Sequence, residues 1–204
     1  MTKKILILIT FLSFSKSFTQ EIFIQMGKNS TSYNFKASNT QSNVDYRSAS
    51  GDFYEIGYNY NFKDSKIAYQ VSFTYNQFNS EASSGATSYS WNTSYLGIQN
   101  MISYSFFKSK KGLDFSLKAG INTASIIKGD QFINNEYFDI KNQEEFAGIV
   151  LQPIIGLNAK YRISEKIALS VGYNFSQALN LSNSSDEKLS FNTNQIQIGL
   201  HFPI

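Results

Sequence analysis

Cysteine is absent from all 204 residues. A chain without it has no disulfide framework, no thiolate nucleophile and no site for acylation of the lipoprotein type. Histidine occurs once, at His201, so no set of imidazole and thiolate ligands exists to hold a transition metal. The acids Asp130, Glu136, Asp139, Glu144, Glu145, Asp186 and Glu187 fall at no calcium-loop spacing and read as solvated loop charge. No metal or other cofactor is expected. Proline occurs only twice, leaving long stretches free to pair as strands. Charged residues make up 16% of the chain against roughly one quarter in soluble domains, while aromatics also reach 16%. That combination points to rings in contact with something other than water.

What is present begins with a leader. Lys3 and Lys4 precede an apolar run from Ile5 to Phe14, and Ser17 and Thr19 stand at the minus-three and minus-one places of a cut before Gln20. The run is about half the length of a spanning helix, so residues 1–19 read as a secretory signal peptide and 20–204 as one barrel domain. The formal charge of +3 includes Lys3, Lys4 and Lys16 from that leader, and removing them leaves a net charge of zero. The total charge gives no reason to expect nucleic acid or an anionic membrane surface as partner.

The remainder alternates with a period of two. In KIALSVGYNFSQ, Ile167, Leu169, Val171, Tyr173 and Phe175 share one face, and Ala168, Ser170, Gly172, Asn174 and Ser176 the other. The same pattern runs through 54–62, 67–75, 94–107, 113–126, 148–163 and 191–202. A weaker first segment, EIFIQMGKNSTSYNF, loses phase near Gly27 and Lys28, where a bulge is expected. That makes eight strands.

Connections alternate in length: long at 37–51, 79–90, 126–147 and 178–190, short at 63–66, 107–112 and 162–166. Alternating segments of about ten residues, with tight turns at one rim and long loops at the other, are the signature of an outer-membrane barrel. The polar face carries amides, hydroxyls and glycines, among them Gln70, Gln99, Gln152, Gln197, Asn59 and Asn122, with few charges. A solvated sheet face would carry many more Lys and Glu. The polar face therefore looks inward and the apolar face at lipid. Tyr60, Phe62, Phe106, Phe107, Tyr161 and Phe202 gather beside the short turns. Tyr54, Tyr75, Tyr95, Phe175 and Phe191 gather beside the long loops, which reads as two interfacial belts. The expected fold is an all-β, eight-stranded antiparallel up-and-down transmembrane barrel in the outer membrane. A secreted lipocalin-like barrel, with the apolar face inside, is the rival.

Certain short motifs, Tyr95-Leu96-Gly97-Ile98, Leu117-Lys118-Ala119-Gly120, Gly156-Leu157, Val171-Gly172-Tyr173 and Ile198-Gly199-Leu200-His201-Phe202, carry a resemblance. With them the chain resembles the small outer-membrane β-barrels typical of Bacteroidota, PorT-like and similar in architecture to OmpA and OmpX. The resemblance implies outer-membrane lipid around the strands and the barrel-assembly machinery as partner during insertion.

Chemistry is sparse. His201 would need a serine and a carboxylate to act as in lipid-modifying outer-membrane hydrolases. No serine-nucleophile motif is present, and His201 falls at the short-turn end, away from the outer leaflet where such enzymes work. Glu55, Asp114, Lys118 and Lys160 take the inward phase, and in a lumen only wide enough for side chains they read as a salt-bridged plug rather than an ion path. Phe132, Ile133, Tyr137 and Phe138 are the apolar residues of the 128–145 loop. They suit either a contact patch for an envelope or extracellular protein or a flap folded over the mouth, and the flap is favoured. The expected protein is a monomeric, non-enzymatic barrel that acts through its loops. The alternatives are a narrow channel or export accessory, the lipocalin-like binder and the lipid-modifying enzyme.

Overall fold

Strands dominate the chain because its alternating β-branched and aromatic residues suit a pleated surface with unlike faces. The structure, a computed structural model, describes residues 20–36, 45–143, 146–180 and 188–204, so the expected signal peptide lies outside the described residues. The strands are β1 (Gln20–Lys36), β2 (Asp45–Asn61), β3 (Ile67–Ser84), β4 (Thr87–Lys108) and β5 (Leu113–Ile133). They continue with β6 (Glu136–Asp139), β7 (Ile149–Arg162), β8 (Ala168–Asn180) and β9 (Lys188–Pro203). Each long strand pairs antiparallel with its sequence neighbour, β5 pairs with β7, and β1 pairs with β9, from Glu21 opposite Pro203 to Lys36 opposite Lys188. Eight strands therefore close into a ring with no free edge at membrane depth, as hydrocarbon requires.

The two faces separate as the alternation predicts. Ile22, Ile24 and Met26 are exposed on β1 while Glu21, Phe23 and Gln25 are buried, and Ile196, Ile198 and Leu200 oppose buried Gln195, Gln197 and His201 on β9. The outward band runs from Leu96 to Phe106 on β4 and from Ile167, just before β8, to Phe175, about the ten residues that a tilted spanning strand needs. Above it the outward positions turn polar at Lys28, Asp52, Gln77, Ser94, Lys128 and Asn194, which marks the second membrane boundary. Val171 is the middle outward residue of β8 and is 57% exposed. Val171→Arg is expected to destabilise the barrel by about 2 to 4 kcal/mol, read as loss of the heat-modifiable folded band in lipid. A fully folded variant of unchanged stability would show that this face does not meet hydrocarbon.

Several expectations change. No bulge sits at Gly27–Lys28, because β1 keeps register with both neighbours from Glu21 to Thr31. What changes there is chemistry, since β1 leaves the membrane and its outward residues become polar. The bulges lie instead within 49–52 of β2, at Ile127 of β5 and at Phe106 of β4, where Phe106 and Phe107 both face outward. The supposed long loop at 79–90 is a hairpin: β3 and β4 stay paired up to Ser84 opposite Thr87, and Gly85, with φ of 59°, makes the turn. The loop at 126–147 likewise contains the end of β5, a turn at Asn134 and Asn135 with φ of 48° and 71°, and the extra strand β6. Tyr95 and Phe191 do not belong to the outer belt, for both are buried inside the barrel.

Candidate functional site

The lumen is filled in layers, and the paired strands β1 and β9 show the order. Along β1 the inward residues run Glu21, Phe23, Gln25, Gly27, Asn29, Thr31 and Tyr33, from acid through amide and hydroxyl to aromatic. Along β9 they run His201, Gly199, Gln197, Gln195, Thr193 and Phe191.

At the short-turn end, Lys160 Nζ lies 2.9 Å from both carboxylate oxygens of Glu21. His201 Nδ1 lies 3.4 Å from the same carboxylate, and its Nε2 lies 2.9 Å from Ser170 Oγ. Phe23 stacks on the imidazole at 5.5 Å. Ser170, His201 and Glu21 thus stand in the order nucleophile, base and acid. The surroundings of this set are closely packed. Ser170 is 4% and His201 2% exposed, and Gly199 presses so closely on Ser170 Oγ and Gln25 that even a Cβ there would collide with both. The Glu21 carboxylate is already neutralised by Lys160. A hydrolase needs a place beside the hydroxyl for the reacting carbonyl and its oxyanion donors, and this cluster is packed against side chains instead.

Above lies the amide layer. Glu55 accepts hydrogen bonds from Ser72 Oγ and from Gln99 Nε2, the latter at 3.0 Å. Lys118 is buried in the field of Glu55 and Lys160. Asn122 donates to Gln152, and Gln152 to Ser176, at 3.1 and 2.7 Å. Asn174 donates to Gln195 and Gln195 to Asn29, at 2.7 and 2.9 Å. These amide bonds run around the inner wall from strand to neighbouring strand, β5 to β7 to β8 and β8 to β9 to β1.

The top of the lumen is apolar. Tyr33, Phe78, Trp91, Tyr95 and Phe191 pack from the strands, and Ile140 and Phe146 enter from the segment between β6 and β7. Ring centroids lie 4.8 Å apart for Phe78 and Phe191 and 6.0 Å apart for Tyr33 and Phe146. The Tyr33 hydroxyl lies 2.7 Å from both Thr93 Oγ1 and the Phe78 carbonyl, so the buried phenol is satisfied.

Of the inward charges expected from the sequence, Glu55 and Lys118 are buried and Lys160 is half-buried. Asp114 accepts from Ser105 Oγ near the rim, at 2.8 Å. The four do not form one plug. Glu21, which completes the ion pair with Lys160, carries the inward parity of Phe23 and Gln25 and was detectable by it. The loop residues also sit differently from the expected flap. Phe132 and Tyr137 pair across the β5–β6 hairpin at 5.8 Å, and Tyr137 and Phe138 remain 58% and 40% exposed. Ile140 and Phe146 cover the mouth in their place.

Beyond the membrane, β2 to β6 rise as a wall. One row crosses it: Arg47 opposite Glu81, Glu81 opposite Ser90, Ser90 opposite Phe132, and Phe132 opposite Tyr137. Part of this row, with Tyr89 and Asn135, lines a cleft of about 320 Å³. At its foot the hydrogen bond and charge of Asp130 hold the Lys128 ammonium above the ordinary lysine value.

A family model described as outer membrane protein beta-barrel domain matches residues 5–202. The chain belongs to this family. Membership places it in the outer membrane and settles which face meets lipid, against the lipocalin-like rival. Among solved structures, Neisserial surface protein A aligns over 90% of this chain and 97% of its own at 11% identity and a TM-score of 0.56. The outer membrane protein OprG from Pseudomonas aeruginosa aligns over 91% and 97% at 14% identity and 0.49. The outer membrane enzyme PagL aligns over 90% and 99% at 15% identity and 0.45. At such identities the likeness is one of fold. Comparison with curated protein sequences gives no match.

Proposed function

We propose that this outer-membrane barrel is a closed, non-enzymatic surface protein that makes its contacts through the wall and hairpin at its long end. The observation that carries the reading is the filled lumen, with an ionic cluster at one end, amides in the middle and an apolar cluster built on Tyr33, Phe78, Trp91, Tyr95, Ile140, Phe146 and Phe191 at the other. A barrel so filled supports neither solute passage nor substrate access to Ser170. At the long end its exposed side chains include the Arg47-to-Tyr137 row and the β5–β6 tip. The strand motifs support the Bacteroidota type. Tight turns in the periplasm and long connections outside follow the usual barrel orientation. A cysteine at Ala86, on the β3–β4 tip, should react with an impermeant thiol reagent on intact cells, and one at Lys110 only after the outer membrane is breached.

Two measurements test the function. Purified barrel in a planar bilayer should give no stepwise current, and regular steps would restore the channel reading. Combined Phe132→Ser, Tyr137→Ser and Phe138→Ser should leave unfolding free energy within about 0.5 kcal/mol, since these residues lie outside the barrel core. The same variant should lose the partners cross-linked to wild type on intact cells. Equal recovery by both would remove the hairpin from the contact surface. Labelling of Ser170 by a fluorophosphonate would restore the enzyme.

A further inference from the structure

The net charge of zero conceals an uneven distribution. Lys63, Lys66, Lys108, Lys110, Lys111, Arg162 and Lys166 stand on or beside the three tight turns, all exposed, against Asp64, Asp114 and Glu165, an excess of four positive charges. The compensating acids, Glu144, Glu145, Asp186 and Glu187, belong by sequence to the long connections, and at that end Lys28 and Lys128 are each paired with an acid, Asp52 and Asp130. No ion pair holds any of the seven turn-side cations among the described residues.

Their placement is regular. Lys63 follows Phe62, Lys66 precedes Ile67, Lys108 follows Phe107, Arg162 lies between Tyr161 and Ile163, and Lys166 precedes Ile167, every one of these apolar neighbours being exposed on the lipid face. The turns that carry the cations are tied by backbone hydrogen bonds. Ser65 N–H donates to Phe62 O at 3.2 Å, Ser109 N–H to Leu113 O at 2.7 Å, and Ile163 N–H to Ile167 O at 3.0 Å. The turns join β2 to β3, β4 to β5 and β7 to β8, so the cations occupy three quarters of the rim.

We infer that this rim is a binding collar for the headgroups of anionic glycerophospholipids in the membrane leaflet that surrounds the short turns. A folded protein partner would meet one patch, whereas lipid meets the whole circumference. The long lysine side chains beside an aromatic belt reach from the hydrocarbon boundary to the phosphate plane. Assignment of that leaflet to the periplasmic side rests on the orientation proposed above. The collar itself does not, because vesicles present the same lipids in both leaflets and thiol labelling reports orientation separately.

The test uses protein purified from the outer membrane and reconstituted in phosphatidylcholine vesicles with spin-labelled phosphatidylglycerol or spin-labelled phosphatidylcholine as probe. At low salt the phosphatidylglycerol probe should associate about fivefold more strongly, and the ratio should fall toward one in 1 M salt, where the Debye length is about 3 Å. Lys63→Gln, Lys66→Gln, Lys108→Gln, Lys110→Gln and Lys111→Gln together should bring the ratio below about twofold. Lys28→Gln with Lys128→Gln should leave it unchanged, and heat-modifiable mobility verifies folding of each variant. A wild-type ratio near one overturns the collar and points to an acidic protein or glycan at this rim. A preference that resists salt, or that survives the five substitutions in folded protein, also overturns it.

Discussion

Phe191→Ala is expected to cost about 3 to 5 kcal/mol of unfolding free energy, measured by urea titration in lipid vesicles with the fluorescence of Trp91 as probe. Phe191 is 2% exposed and lies among Phe78, Tyr33 and Tyr95 at centroid distances of 4.8, 5.4 and 6.2 Å. Truncation removes the transfer energy of the ring and leaves a void that rigid strands cannot close. Trp91, the single tryptophan, is 5.8 Å from Tyr33 and reports on the same cluster. Phe175→Ala is the companion measurement. Phe175 is 42% exposed on the lipid face, where acyl chains refill the space, so it should cost clearly less. Equal losses at the two positions would place Phe191 in the outer belt and remove the apolar cluster from the lumen. Current through the bilayer should stay absent in Phe191→Ala, because a void lined by aromatic and aliphatic groups stays dry.

Phe191 also shows where sequence reasoning works and where it stops. Its odd parity matches Gln195 and Gln197, both inward, and Tyr95 likewise matches Gln99. Periodicity alone assigns both rings to the lumen. Residue type draws them to an interfacial belt instead, because an aromatic suits either place. The barrel, its faces and its short turns follow from alternation that persists for ten residues or more, as at Ile167 to Ser176. The upper wall is less readable because its outward face is polar and its inward face aromatic, so the chemical contrast that defines the membrane band reverses sign there. At β5 the extra residue Ile127 shifts parity as well, moving the inward set from Asn122, Ala124 and Ile126 to Gly129 and Gln131. The turn at Asn134 and Asn135 was open to recognition as an asparagine pair suited to positive φ. Ile140 and Phe146 were not, since a single turn of chain dropping into the lumen has no period. Long-range pairs such as Glu21 with Lys160 arise from ring closure, and parity says only that both face inward.

That pair supports the last expectation. Glu21 on β1 and Lys160 on β7 are separated around the ring by β9 and β8, so their contact bridges the lumen rather than joining adjacent strands. Asn59 Nδ2 also lies 3.4 Å from Glu21, and the carboxylate side chain is only 6% exposed. Glu21→Gln removes the anion and leaves the Lys160 ammonium beside a neutral amide. Breaking a buried pair costs about 3 to 5 kcal/mol, and because Lys160 retains 20% side-chain exposure a loss of about 3 kcal/mol is expected, by the same urea titration. Glu21→Gln combined with Lys160→Met should be less destabilised than Glu21→Gln alone, since the stranded charge is then gone as well. A coupling energy of about 1 kcal/mol or more across that cycle identifies a brace across the lumen between non-adjacent strands. Additive single losses would mean that the lumen is wet enough at this level to screen the pair. In that case the short-turn end would be open to water, and closure of the barrel would rest on the aromatic cluster alone.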